Sequence, residues 1–399
     1  MNRQNNGVVR LKSLKILLIL LIPFRLQAQD VVFASDQEVS RFKSSEEDAY
    51  NKRNKYKPFK PQPIEVVRNH HLNYIKITSS ERLSKQDVND SNVEKMHQDI
   101  NFLDPKKLTD ETANRPNVLS YVNSKGTIAT LFLDSKYDEF MWGEPGYWIN
   151  LREGTDSHDY YLGLAQNYYI KLLDDGNSIW TNDSTLRIQG ARVRLIEPFM
   201  HPVRAPKYEF IDNVSVEISI SDLKRDSDKD GLTDIEEDKL MLNPLSNDTD
   251  GDGILDLLDH NPRFKSLTTN ETLVYKAILD NFIADTVKIR AGKIINPKRP
   301  SLIHTLKPRT YLIVSDDPNL QRSDFDYGRF VIISKSEYEV FKSKYPVTLD
   351  ETTVTPMFKV DKLADAFVVS AYQDLGGQKF LIKKLRNGFD VTEIETWIH

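Results

Sequence analysis

The chain has 399 residues, 39% of them hydrophobic and 10% aromatic, with no cysteine and a formal net charge of −5. That length predicts roughly two to three domains with ordinary cores. The missing thiol excludes disulfides, zinc–thiolate and iron–sulfur sites, and a cysteine nucleophile.

The first 28 residues read as a signal peptide of bacterial style. Arg3, Arg10, Lys12 and Lys15 precede a short apolar run from Ile16 to Phe24, and Leu26-Gln27-Ala28 ends in a small residue. The apolar run is too short for a bilayer, which takes about 20 residues. Cleavage after Ala28 is expected, leaving a secreted or periplasmic protein with no membrane span and, lacking a cysteine there, no lipid anchor.

Residues 29–116 read as a polar, partly disordered leader with a few short strands, one near Asn73–Ile77. His70 and His71 are adjacent but show no third ligand at helical or hairpin spacing, which predicts a surface pair. Residues 117–221 read as a β-sandwich-like antiparallel domain. Short apolar runs begin at Thr127, Phe140, Tyr147, Tyr168, Thr185 and Ala191, separated by Gly, Asp and Asn. Val214, Val216, Ile218 and Ile220 alternate with Ser215, Glu217 and Ser219, a half-buried strand. Trp142, Trp148, Tyr160 and Tyr161 are candidates for a sugar-binding aromatic row, although inter-sheet packing is the commoner use of such residues.

Residues 222–263 carry the strongest signal. Asp and Glu number thirteen over 222–259 against four Lys and Arg, a net −9. The remaining chain has no basic stripe, so no nucleic-acid partner is expected. Two stretches align: Asp226, Asp228, Asp230, Asp234 and Glu237 with Asp248, Asp250, Asp252, Asp256 and Asp259, at positions 1, 3, 5, 9 and 12. Gly231 and Gly253 share position 6, and Leu232 and Ile254 share position 7, where only a backbone carbonyl is needed. Calcium takes six to eight oxygens in flexible geometry, whereas magnesium holds its waters in a strict octahedron. Alternate side chains of a tight loop converge, glycine allows the reversal, and position 12 closes the shell. Two Ca²⁺ sites are therefore predicted, with Glu237 long enough to bind through both oxygens and Asp259 a methylene shorter.

The segment resembles thrombospondin type 3 repeats, with their D-x-D-x-D-G-x-x-D-x-x-D spacing and trailing Asn-Pro, here Asn243-Pro244 and Asn261-Pro262. The resemblance covers residues 226–262 only. It implies an extended, calcium-stapled unit with little hydrophobic core, as in secreted and cell-surface proteins. Glu237 stands where the repeats carry Asp, and only two units are present.

Residues 266–399 read as an α+β domain with an antiparallel sheet. A helix is expected over Asn270–Phe282 with Asn270 as its cap, and a second from a Ser334/Glu337 capping box. Strands are expected at Thr310–Ser315, Arg329–Ile333, Phe358–Val360 and Phe367–Tyr372, and Asn387-Gly388 marks a closing hairpin. The whole is a multidomain chain. No metalloprotease, nucleophile-elbow or phosphate-loop motif occurs, and Gly154–Asp159, with Ser157, His158 and Asp159 side by side, is a poor triad. The leading reading is a secreted calcium-binding protein whose Asp-rich loops brace a β domain against a C-terminal α+β domain. The alternatives are a secreted hydrolase, or a binding protein for a glycan or protein ligand, using the calcium segment as a stabilising linker.

Overall fold

A computed structural model describes residues 42–54, 60–79, 118–124, 126–134, 146–165, 169–172, 179–182, 184–197, 207–284, 288–290, 293–295, 310–325, 329–344, 352–373, 376–386 and 388–398. The expected signal segment 1–28, most of the leader, and Trp142 lie outside them. The chain is β-rich and multi-sheet, mostly antiparallel, with seven helices among the described residues.

Two sheets carry the expected sandwich-like region. One is four-stranded in the order β2 (Val118–Ser124), β3 (Thr127–Asp134), β4 (Gly146–Glu153), β5 (Asp156–Ala165). The other runs β1 (Ile75–Ser79), β9 (Lys207–Ser219), β8 (Thr185–Glu197), β6 (Ile170–Leu172), with β7 (Ile179–Thr181) also on β8. The period-two pattern of β9 works as chemistry requires: Val214, Val216 and Ile218 are buried with Leu186 and Ile188 of β8 and Leu131, Ile149 and Leu164 of the first sheet. The runs at Thr185 and Ala191 are one continuous strand with a bulge at Arg192/Val193.

The described part of the leader is packed, and it carries the short strand expected near Asn73–Ile77. Its strand β1 pairs Ile75–Ser79 with Val214–Ile218. Helix α1 (Ser45–Arg53) lies against the C-terminal sheet, and Arg192 and Arg194 of β8 donate to the carbonyls of Arg68 and Gln62, at helix α2 (Ile64–Asn69) and just before it. Polar composition hid this because α1 docks through few groups: Tyr50 and Phe42 supply the apolar contact, and Glu47 is buried against Ser370 and Lys379. His70 is half-buried rather than at the surface. Its Nε2 bonds the Lys344 carbonyl, and burial lowers its pKa.

The C-terminal sheet is mixed, which corrects the antiparallel expectation. Its order is β13 (Arg329–Ile333), β12 (Thr310–Val314), β14 (Thr352–Val354), β16 (Ala366–Gln373), β17 (Gly376–Leu385), β18 (Gly388–Ile398), with β15 (Phe358–Lys359) on β16. The pairs β12–β13 and β12–β14 are parallel. Helix α5 (Asn270–Ala284) covers one face through Val274, Tyr275, Ile278 and Leu279. Its cap is Thr269, which exchanges bonds with Thr272, and not Asn270. The Ser334/Glu337 box does start helix α7 (Lys335–Lys344), and the β17–β18 hairpin closes one residue earlier than expected, pairing Leu385 with Gly388.

One buried cluster is continuous across these parts. It joins both sandwich sheets to Leu232, Ile235, Leu240 and Leu242 of the acidic segment and to Val314, Val331, Ile333, Tyr338 and Phe341. A notch in β5 seats the acidic segment: Gly163 has φ +70, and a Cβ there would lie 1.6 Å from Tyr74 Oη and 3.2 Å from the Ile235 side chain. Gly163→Ala should therefore lose about 2–4 kcal/mol in denaturant unfolding, from left-handed strain and from unseating Tyr74 and Ile235. Unchanged stability would mean that the notch is not needed.

Candidate metal centre

The acidic segment begins after helix α3 (Ile220–Leu223). Its two loops fold by one rule. Asp226 accepts from the Lys229 amide at 2.7 Å and the Gly231 amide at 3.2 Å; Asp248 accepts from the Gly251 amide at 2.8 Å and the Gly253 amide at 2.9 Å. Asp228 and Asp250 take the amides of Asp230 and Asp252, and these in turn take the amides of Leu232 and Ile254. Each carboxylate thus folds the chain forward over itself, as Asx turns do. Position 6 needs glycine: Gly231 has φ +100 and Gly253 φ +99. Position 4 is left-handed too, at Gly251 (φ 74) and, at some strain, at Lys229 (φ 67); no charge pattern announces this.

The result is two Asp triplets, Asp226, Asp228 and Asp230, and Asp248, Asp250 and Asp252. Within each, oxygens lie no more than 4.8 Å apart, so each can hold a metal ion. Position 9 faces the chain instead. Asp234 accepts from the Ser227 amide and hydroxyl at 2.9 Å each, and from Arg225 Nε at 2.6 Å. Asp256 accepts from the Thr249 amide at 2.9 Å and hydroxyl at 2.6 Å. A Ser or Thr at position 2 is the sequence sign of this brace, and spacing of acids alone misses it.

Position 12 is the informative one. Glu237 lies on helix α4 (Asp234–Leu240), which starts from a Thr233/Glu236 capping box and turns Ile235 and Leu240 into the core. Glu237 is fully buried, and neither carboxylate oxygen has a hydrogen-bond partner. Burial, then the charges of Asp228, Asp230, Asp234 and Asp256, push its pKa up to about 8. In the second loop Asp259 is also buried; its Oδ1 accepts from the Asn261 amide at 2.8 Å while Oδ2 has no partner. Asp228 Oδ2 and Asp250 Oδ2 are likewise buried and unpartnered, and burial with neighbouring Asp252 and Asp259 raises Asp250 to about 6. Buried polar groups are almost always bonded, so five orphaned carboxylate oxygens in two loops fit cation sites with an all-oxygen donor set. Leu232 and Ile254 hold position 7 in both loops.

The loops touch each other and both flanks. Asp230 Oδ2 accepts from the Leu257 amide at 3.2 Å. Helix α4 reaches α7 through the Asp238–Lys344 ion pair. Toward the same C-terminal region, Asn261 donates to the carbonyls of Gln321 and Ser323, Arg329 donates to the Leu257 carbonyl, and the Phe330 amide donates to the His260 carbonyl, while the sandwich side is met by Ile235 at the Gly163 notch. No family model, curated protein or solved structure matches the chain.

Among the described residues the other candidates assemble no site. Trp148 and Tyr161 are buried and packed on each other in the sandwich core, and Tyr160 is partly buried. Along β5, His158 bonds Asp156 at 2.8 Å while Ser157 bonds Asn150. Alternation puts serine and histidine on opposite faces of the strand. Among the described residues no helix is long and apolar enough to cross a membrane.

Proposed function

We propose that the protein is an exported calcium-binding protein whose two Asp-rich loops hold Ca²⁺ and brace the sandwich-like β region against the C-terminal region. The observation that carries this is Glu237: a fully buried carboxylate with two unpartnered oxygens that feels the charges of Asp228 and Asp230 of the first triplet. A buried charge without a partner is expensive, and a divalent ion is the economical remedy. The donors are carboxylate and carbonyl oxygens with no nitrogen or sulfur, which suits a hard cation, and the loops are flexible enough for calcium. The likeness to thrombospondin type 3 repeats supports the same reading through spacing. The ion's role is structural, because the segment packs on the sandwich through Ile235 and is hydrogen-bonded to the C-terminal region. Buried Trp148 and Tyr161 give the carbohydrate alternative no support.

Calorimetric titration of the metal-stripped protein tests this. Two sites are expected, with dissociation constants of about 10⁻⁴–10⁻³ M if they resemble extracellular modules. Asp226→Ala should remove one and Asp248→Ala the other. No calcium uptake at millimolar concentration would overturn the reading.

A further inference from the structure

The two loops are the same fold with different surroundings, and the differences fall at matched positions. At positions 7, 8, 10 and 11 the first loop has Leu232, Thr233, Ile235 and Glu236, all buried. The second has Ile254, Leu255, Leu257 and Leu258, exposed by 47%, 40%, 36% and 67%. Leu245, just before the second loop, is 79% exposed. The second loop therefore presents to solvent, in a fully apolar form, the face that the first loop buries. The donor sets differ as well. Glu237 offers two unpartnered buried oxygens, but Asp259 offers one, its other oxygen being held by the Asn261 amide.

We propose that the second site, when it holds Ca²⁺, keeps one coordination position for an oxygen from outside the chain. That oxygen is a phosphate oxygen of an anionic phospholipid surface, into which Ile254, Leu255, Leu257 and Leu258 insert. This rests on the calcium reading above. Calcium fills its shell with hard oxygens, and a site one donor short fills it with water or an anion. Apolar side chains protruding from a turn need no shaped pocket in a fluid lipid interface, whereas a protein partner would have to match them. Without the ion, a segment of net −9 is repelled by an anionic membrane. Two Ca²⁺ reduce that charge to −5, and the second ion, beside the exposed leucines, offers a lipid phosphate a direct ligand position, so attachment is calcium-dependent and local.

The test uses the full mature chain. Tb³⁺ loaded in place of calcium reports its inner-sphere water through luminescence lifetimes in H₂O and D₂O. The expected result is two bound ions, one with more water than the other, the excess being lost on adding phosphatidylglycerol vesicles. Co-sedimentation with those vesicles should need calcium, should fail with phosphatidylcholine vesicles, and should weaken about tenfold or more in Ile254→Ser/Leu258→Ser, since each exposed side chain contributes only its buried apolar area. Both residues are exposed, so this variant folds. Two bound ions of equal hydration, or two bound ions with no vesicle binding, would overturn this inference and leave the calcium reading standing. No bound ion would overturn the reading beneath it.

Discussion

Glu237→Gln should make the metal-free protein more stable at neutral pH and remove about half of its stabilisation by calcium. The two effects have opposite signs and one cause. Without an ion, Glu237 sits buried beside Asp228, Asp230, Asp234 and Asp256, with its pKa moved from the ordinary 4.5 to about 8. An acid raised in this way favours the folded state while protonated. Its contribution is fully present below about pH 4.5 and disappears as pH rises through about 8. Metal-free wild type should therefore lose stability across that window, and the glutamine variant should show a flatter profile. With calcium the gap narrows. Ten times the dissociation constant adds about 1.4 kcal/mol per site, or about 3 kcal/mol for two, and the variant forfeits the share of the first loop. Chemical denaturation in EDTA and in calcium, at pH 5 and pH 8, checks both halves. A variant less stable than wild type in EDTA at pH 8 would contradict the account.

Glu47→Ala should cost about 3–5 kcal/mol and release helix α1 from the C-terminal sheet. Glu47 accepts from the Ser370 hydroxyl at 3.0 Å and from Lys379, and both partners of the ion pair are largely buried. Removing the carboxylate leaves the ammonium without its counter-ion in a dry place. Ser45, bonded twice to Asp361, lies at the surface and cannot substitute. Hydrogen exchange should show residues 45–53 opening in the variant while the β3–β4 ladder stays protected. Glu47→Gln, which keeps a hydrogen bond to Ser370, should fall between. An alanine variant as stable as wild type, with α1 still protected, would show that Tyr50 and Phe42 suffice to hold the helix.

Local periodicity located most elements. The alternation of Val214, Val216 and Ile218 marks β9, the Arg329–Ile333 run is β13, and the Ser334/Glu337 box is the start of α7. The alignment of two acidic loops located both Asp triplets and the position-6 glycines. Pairing between distant segments is a different kind of information. Nothing near Ile75 indicates that its partner is Ile218, and nothing in Thr310–Val314 says that both neighbours run parallel. The burial of Glu237 was equally hidden, since α4 faces inward only because Ile235 meets the Gly163 notch. Position 9 misleads for a related reason: a carboxylate one turn away can serve the chain's own amides as readily as a cation.

The contact between Glu47 and Lys379 spans 332 positions. The earliest described helix therefore finds its seat only after almost the last strand exists. Strand β1 waits similarly for β9. Chains dominated by such remote contacts fold slowly, because each closure costs entropy before any contact repays it. Until those late strands exist, the segment that carries α1 and β1 has no seat and is exposed to proteases and to aggregation.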